Sequence, residues 1–183
     1  MSEAQSSLES LQKERGRLRQ SHEVLEAALQ LEARDASFVP LYIAVAKYME
    51  AAMKRLDSQD ITMTSLLANK LNSAATEQQE ILSEVHRRLA GNRKHLEKLI
   101  ACRAVLEGSP DNATAIRSFE KTSSAYIDYI HTNMGHHAPS TTLARELLVG
   151  PDWLQIADLD ADYFALEDRL FNRLMDSRPA KLL

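Results

Sequence analysis

From Met63 to Leu106 the chain holds one helical phase for more than forty residues. Met63, Leu67, Leu71, Ala74, Gln78, Ile81, Val85, Leu89, Asn92, Leu96, Leu99 and Leu106 follow one another at steps of three, four or seven, and only Gln78 and Asn92 among them are polar. Such spacing lays side chains along one face of a helix and is incompatible with the alternation of a half-buried strand. A single rod of that span would reach roughly 65 Å at about 1.5 Å per residue. Two pieces are therefore expected, with a break between Ala68 and Thr76, and Gly108-Ser109-Pro110 supplies the stop. Five glycines and five prolines in 183 residues leave few turns elsewhere, so long helices rather than a many-turned sheet must make up the fold.

The flanking segments repeat the pattern. Leu8, Leu11, Leu18, His22, Leu25 and Leu29 form a narrow seam over about Ser7–Arg34, broken only at Arg15. DASFVP (35–40) is a turn, since proline suits a first helical turn and disfavours the α conformation in the residue before it. Phe38, Tyr42, Val45, Met49, Ala52 and Leu56 line a second helix, after which Asp57-Ser58-Gln59-Asp60 reads as a break or a new cap. Asp111 or Asn112 caps a further helix carrying Ile116, Phe119, Ser123, Tyr126 and Ile130. Ser140 or Thr141 caps a short one that Gly150-Pro151 stops, and Trp153 plugs the end of the assembly. A final helix from about Asp158 to Asp176 presents Leu159, Tyr163, Leu166, Leu170 and Leu174, and SRPAKLL is a tail. The expected fold is all-α: one domain over 1–183, an antiparallel four-helix bundle with its core in about 7–150 and extra short C-terminal helices.

Composition narrows the partners. A net charge of −4 offers no electrostatic footprint for nucleic acid or for an anionic membrane surface. No apolar run is long enough to span a bilayer, and MSEAQSSLESLQKERGRLRQ has no apolar region of the signal-peptide kind. Cys102 is the single cysteine, which rules out an intrachain disulfide and a thiolate zinc cluster and suits a reducing compartment, so a cytoplasmic location is expected. Its role is small apolar filler. None of the phosphate-loop, dinucleotide, serine-hydrolase, CxxC or HExxH motifs occurs, and no enzymatic activity is expected.

The histidines carry what chemistry remains. Three of six, His131, His136 and His137, lie within seven residues in IHTNMGHHAP. Neutral imidazole is the commonest protein ligand for transition metals, yet histidines also favour a helix C-terminus for its dipole. His22, inside an apolar seam, reads either as a hydrogen-bonded core histidine or as a ligand aimed into the interior. His86 borders the stripe, while His95, nine residues on and on the opposite side of the helix, sits among Arg93, Lys94, Glu97 and Lys98 as solvated surface. His131 and His136, five apart, diverge by roughly 140° on a regular helix. They can share a site only in a wide cavity or where the helix unwinds near Gly135.

Three stretches resemble the hemerythrin-like (HHE-type) family. LRQSHEVLEAALQLEA resembles its first-helix signature, with His22 in the ligand place, and LSEVHRRL its third-helix element, with His86 there. SAYIDYIHTNMGHHAPSTTLARELLVGPDW resembles the last-helix region and the tail beyond it. The chain departs from the family in three places, one of them STT (140–142) where the family shows LFP. KRLDSQDIT, where a second-helix His-x-x-x-Glu pair is usual, has no histidine and only Asp57 and Asp60 as oxygen donors, and His136 stands five residues after His131 where an acid is expected. The resemblance implies a non-haem iron centre, here held by His22, Asp57, Asp60, His86, His131 and His136, that binds a small gas such as oxygen or nitric oxide, or handles iron. Glu50, one position off the seam, reads as a solvated charge. The alternative is a metal-free helical interaction module on the same scaffold, acting through an apolar surface or as a homodimer.

Overall fold

A computed structural model describes residues 3–32, 35–71, 76–134, 138–157 and 161–182. Seven α-helices run through them: α1 (Glu3–Gln30), α2 (Val39–Lys70), α3 (Thr76–Gly108), α4 (Ala113–Tyr129), α5 (Ala138–Leu147), α6 (Gly150–Ala157) and α7 (Ala161–Asp176). A 3-10 turn at Ala36–Phe38 leads into α2, a π-turn at Ile130–Met134 continues α4, and a second 3-10 turn occupies Ala180–Leu182. No strand occurs among the described residues.

Local chemistry explains the boundaries. The Asp35 carboxylate accepts from Ser37 N at 2.9 Å and starts the 3-10 turn, and Pro40 occupies the first turn of α2, where its missing N–H costs nothing. The expected break between Ala68 and Thr76 is present, with α2 ending at Lys70 and Leu71 extended beyond it. Asn112 caps α4, its side-chain oxygen accepting from Thr114 N at 2.8 Å and Ala115 N at 3.2 Å.

Four expectations are corrected. Asp57–Asp60 does not interrupt the second helix, which continues to Lys70. Asp57 is held from outside by Arg93, and the Thr62, Thr64 and Ser65 hydroxyls donate back to the Ser58, Asp60 and Ile61 carbonyls. Tertiary pairing therefore outweighs local propensity. Gly150-Pro151 starts α6 as well as ending what precedes it, because Asp152 accepts from Val149 N at 2.8 Å and pairs with Lys70 at 2.7 Å. α5 begins at Ala138, and Ser140 is buried within it rather than capping it. The inward face of α7 is Glu167, Phe171 and Leu174 with Leu170 packed beside them, so the expected Leu170 and Leu174 face the core whereas the expected Leu166 is 40% exposed.

Two apolar clusters form the interior. The larger joins Leu25 and Ala28 of α1, Tyr42, Val45 and Met49 of α2, Leu96, Leu99 and Leu106 of α3, Ile116, Phe119 and Tyr126 of α4, and Phe171 and Leu174 of α7. The smaller joins Leu67, Leu82, Leu143, Ala144, Leu148 and Ile156, with Trp153 packed against it. Each fully buried leucine contributes about 2 kcal/mol of transfer free energy. Along α2 the segment between the clusters, from Arg55 to Thr64, buries polar side chains instead, and Arg88 and Asn92 do the same on α3.

Candidate functional site

This polar layer is the part of the interior where chemistry is concentrated. Arg55, only 1% exposed at its side chain, lies between two carboxylates from different helices. Its Nη1 meets Glu14 Oε2 of α1 at 2.7 Å, and its Nε and Nη2 donate to Glu167 Oε1 and Oε2 of α7 at 2.6 and 3.2 Å. Nη1 also donates to Gln59 Oε1 at 3.0 Å. The guanidinium thus ties α1, α2 and α7 together through the bidentate geometry that arginine offers a carboxylate. Beside it the Tyr48 hydroxyl is buried with no hydrogen-bond partner among the described residues, and burial, then the nearby Glu167 charge, raises its pKa.

Five of the six expected ligands fall among the described residues. His22 is 8% exposed, and its Nε2 has no hydrogen-bond partner among the described residues. Burial, with a smaller contribution from the His131 charge, brings it down to about 4. His131 itself sits in the π-turn, exposed. Asp57 is occupied by Arg93, whose Nε donates to both its oxygens at 3.0 and 2.9 Å. Asp60 is partly buried and pushed up to about 6 by burial, against the pull of Arg15 and Arg88 and with some help from Asp57. His86 is exposed on α3. His136 lies outside the described residues. Glu50, expected to be solvated, is bound by Lys54 and Arg103 at 2.6 Å each.

A dinuclear iron centre needs imidazoles and carboxylates converging from several helices. Among the described residues no three His, Cys, Asp or Glu side chains are grouped so as to hold a metal ion. The described members of the expected set therefore do not fit such a centre, and the carboxylates deepest in the interior, Glu14 and Glu167, face a guanidinium instead.

Sequence reasoning missed three features. Glu14 lies three residues after Leu11 and four before Leu18, so helical spacing alone puts it on the inner face. Arg55 likewise falls between Ala52 and Gln59. His95 is not solvated surface: its ring stacks on Tyr129 at 4.7 Å and Tyr126 at 5.8 Å, and burial, then Lys98 and Lys94, lowers its pKa. Tyr129 reaches that position because Gly91 has no side chain. A Cβ there would overlap the phenol ring, whose hydroxyl donates to the Arg88 carbonyl at 2.8 Å.

Compared with protein-family models, with curated proteins and with solved structures, the chain matches none of them.

Proposed function

We propose that this chain is a metal-free, non-enzymatic interaction module, built as an antiparallel four-helix bundle of α1–α4 with α5–α7 added and working in the cytoplasm. The observation that carries the reading is Arg55. A permanent cation, buried at the centre of the polar layer and already matched by Glu14 and Glu167, repels a second cation and occupies the two most deeply buried carboxylates of the described residues. Packing of α3 on both α2 and α4, and of α1 on α2, supports the bundle arrangement. The family resemblance then concerns the scaffold rather than the metal. No helix of the described residues is long and apolar enough to cross a membrane, which suits a partner met in solution.

A second reading, a metal-binding relative of the hemerythrin-like proteins, is favoured by one observation: the buried His22 Nε2 without a partner, facing the field of His131. Expression in iron-supplemented medium, followed by elemental analysis and a visible spectrum, separates the two. The module should carry far less than one metal per chain and show no charge-transfer bands. Stoichiometric iron that disappears in His22→Ala would overturn the metal-free reading in favour of the second.

A further inference from the structure

α7 packs chiefly on α2 and α1, and it does so with one face. Glu167, Phe171 and Leu174 are buried at steps of four and three, while Asp162, Leu166, Arg169, Arg173 and Asp176 are exposed. The groove receives that face with matched chemistry. Arg55 takes both Glu167 oxygens, Arg17 pairs with Asp168 and lies 5.3 Å over the Phe171 ring, and Tyr48 meets the same ring edge-on at 5.4 Å. Without α7 the groove would hold no bare charge, because Glu14 at 2.7 Å and Gln59 at 3.0 Å remain on Arg55. An interior arginine that keeps its own counter-charge allows the helix to leave without stranding a buried ion.

We infer that the α1–α2 groove is a docking site for an amphipathic helix and that its alternative occupant is α7 of a second copy of this chain. The inference rests on the interaction-module reading and names its surface and partner. A second copy carries the Glu-Asp pair, the aromatic one turn later and the leucine beyond it in the register that Arg55, Arg17 and Tyr48 accept. The bidentate pair makes the groove selective, since a helix lacking the acid forgoes the two charge-assisted hydrogen bonds from Arg55 Nε and Nη2.

The test uses the full-length protein and a fluorescent synthetic peptide of residues 158–178. The wild-type peptide should bind saturably by anisotropy, at least ten-fold more tightly than the same peptide with Glu167→Gln or Phe171→Ala. A smaller difference, or no binding, overturns the groove assignment. Wild-type protein refolded from urea at high concentration should contain a dimer by sedimentation velocity that excess wild-type peptide suppresses. A monomer throughout, or a dimer indifferent to the peptide, overturns the second-copy assignment. Neither readout depends on metal, so a chain that loads iron yet exchanges α7 would remove the metal-free reading alone.

Discussion

His22 places an imidazole in an apolar seam with nothing to bond its Nε2, and the consequence is a pH dependence. Its folded pKa, about 4, lies below the unfolded 6.5, so between those values the unfolded chain binds more protons than the folded one. Stability is complete above about pH 6.5 and falls as the pH drops toward 4, by about 3 kcal/mol from this residue. Asp60 acts in the opposite sense. Its folded pKa, about 6, lies above the unfolded 3.8, so the folded chain gains protons, and stability, as the pH falls through that window. His22→Leu should therefore flatten the acid side of a plot of urea midpoint against pH. Asp60→Asn should steepen it while raising stability at pH 7 by about 1 kcal/mol. A parallel displacement of the whole curve in both variants would contradict the assignment. At Gly91 the argument is steric. Gly91→Ala pushes the Tyr129 ring off the Arg88 carbonyl and off His95, at about 1–3 kcal/mol, and the loss should shrink when Tyr129 is also reduced to a small residue. Nothing in a residue string marks this stack, since a glycine at position 91 of a helix earns its meaning only from a tyrosine on another helix.

At the scale of elements, α2 is the most instructive. Its apolar half was legible from Phe38 to Leu56 because every third or fourth residue is buried, and its C-terminal half was legible as a separate pattern from Met63. The join was not legible: Asp57-Ser58-Gln59-Asp60 has the local chemistry of a cap, and what overrides it is Arg93 on α3 and Arg15 and Arg88 around Asp60. The inner face of α7 was legible at Leu170 and Leu174 but not at Glu167 in place of Leu166, since a leucine-based seam cannot select Glu167 until Arg55 is known to face it. Of the expected ligands, Asp57 is claimed by Arg93 of α3, and Glu50, expected to be a solvated charge, is claimed by Arg103 of the same helix, pairings that residue type alone does not reveal. The ion pair across α1, α2 and α7 also gives a prediction. Arg55→Ala leaves Glu14 and Glu167 buried and facing each other, and should cost about 3–5 kcal/mol by urea denaturation. The triple variant Glu14→Leu, Arg55→Met, Glu167→Leu should recover most of that loss. A triple variant no better than the single one would mean that the layer contributes net stability of its own.

Across the whole molecule, the all-helical character was legible because it follows from periodicity and from the scarcity of turns. The division of the interior was not, since the two apolar clusters take different members of one in-phase run, Leu67 and Leu82 in the smaller and Leu96, Leu99 and Leu106 in the larger. The smaller cluster, around Leu67 and Leu82, holds α5 and α6 with few buried residues. Amides of α5 and α6 should therefore exchange with solvent well before those of α2 near Tyr42–Met53, as followed by native-state hydrogen exchange. Equal protection in both regions would show that the two clusters open as one. The layer between them has one more effect. Long helices lined with leucine can glide past one another by a turn, about 5.4 Å, and still find oil on every side. Here that glide would drag the Arg55 guanidinium away from Glu14 and into leucine and methionine, a penalty of several kcal/mol. A buried cation fixed to carboxylates on two other helices works as a detent on the rods, so the helices have one axial setting.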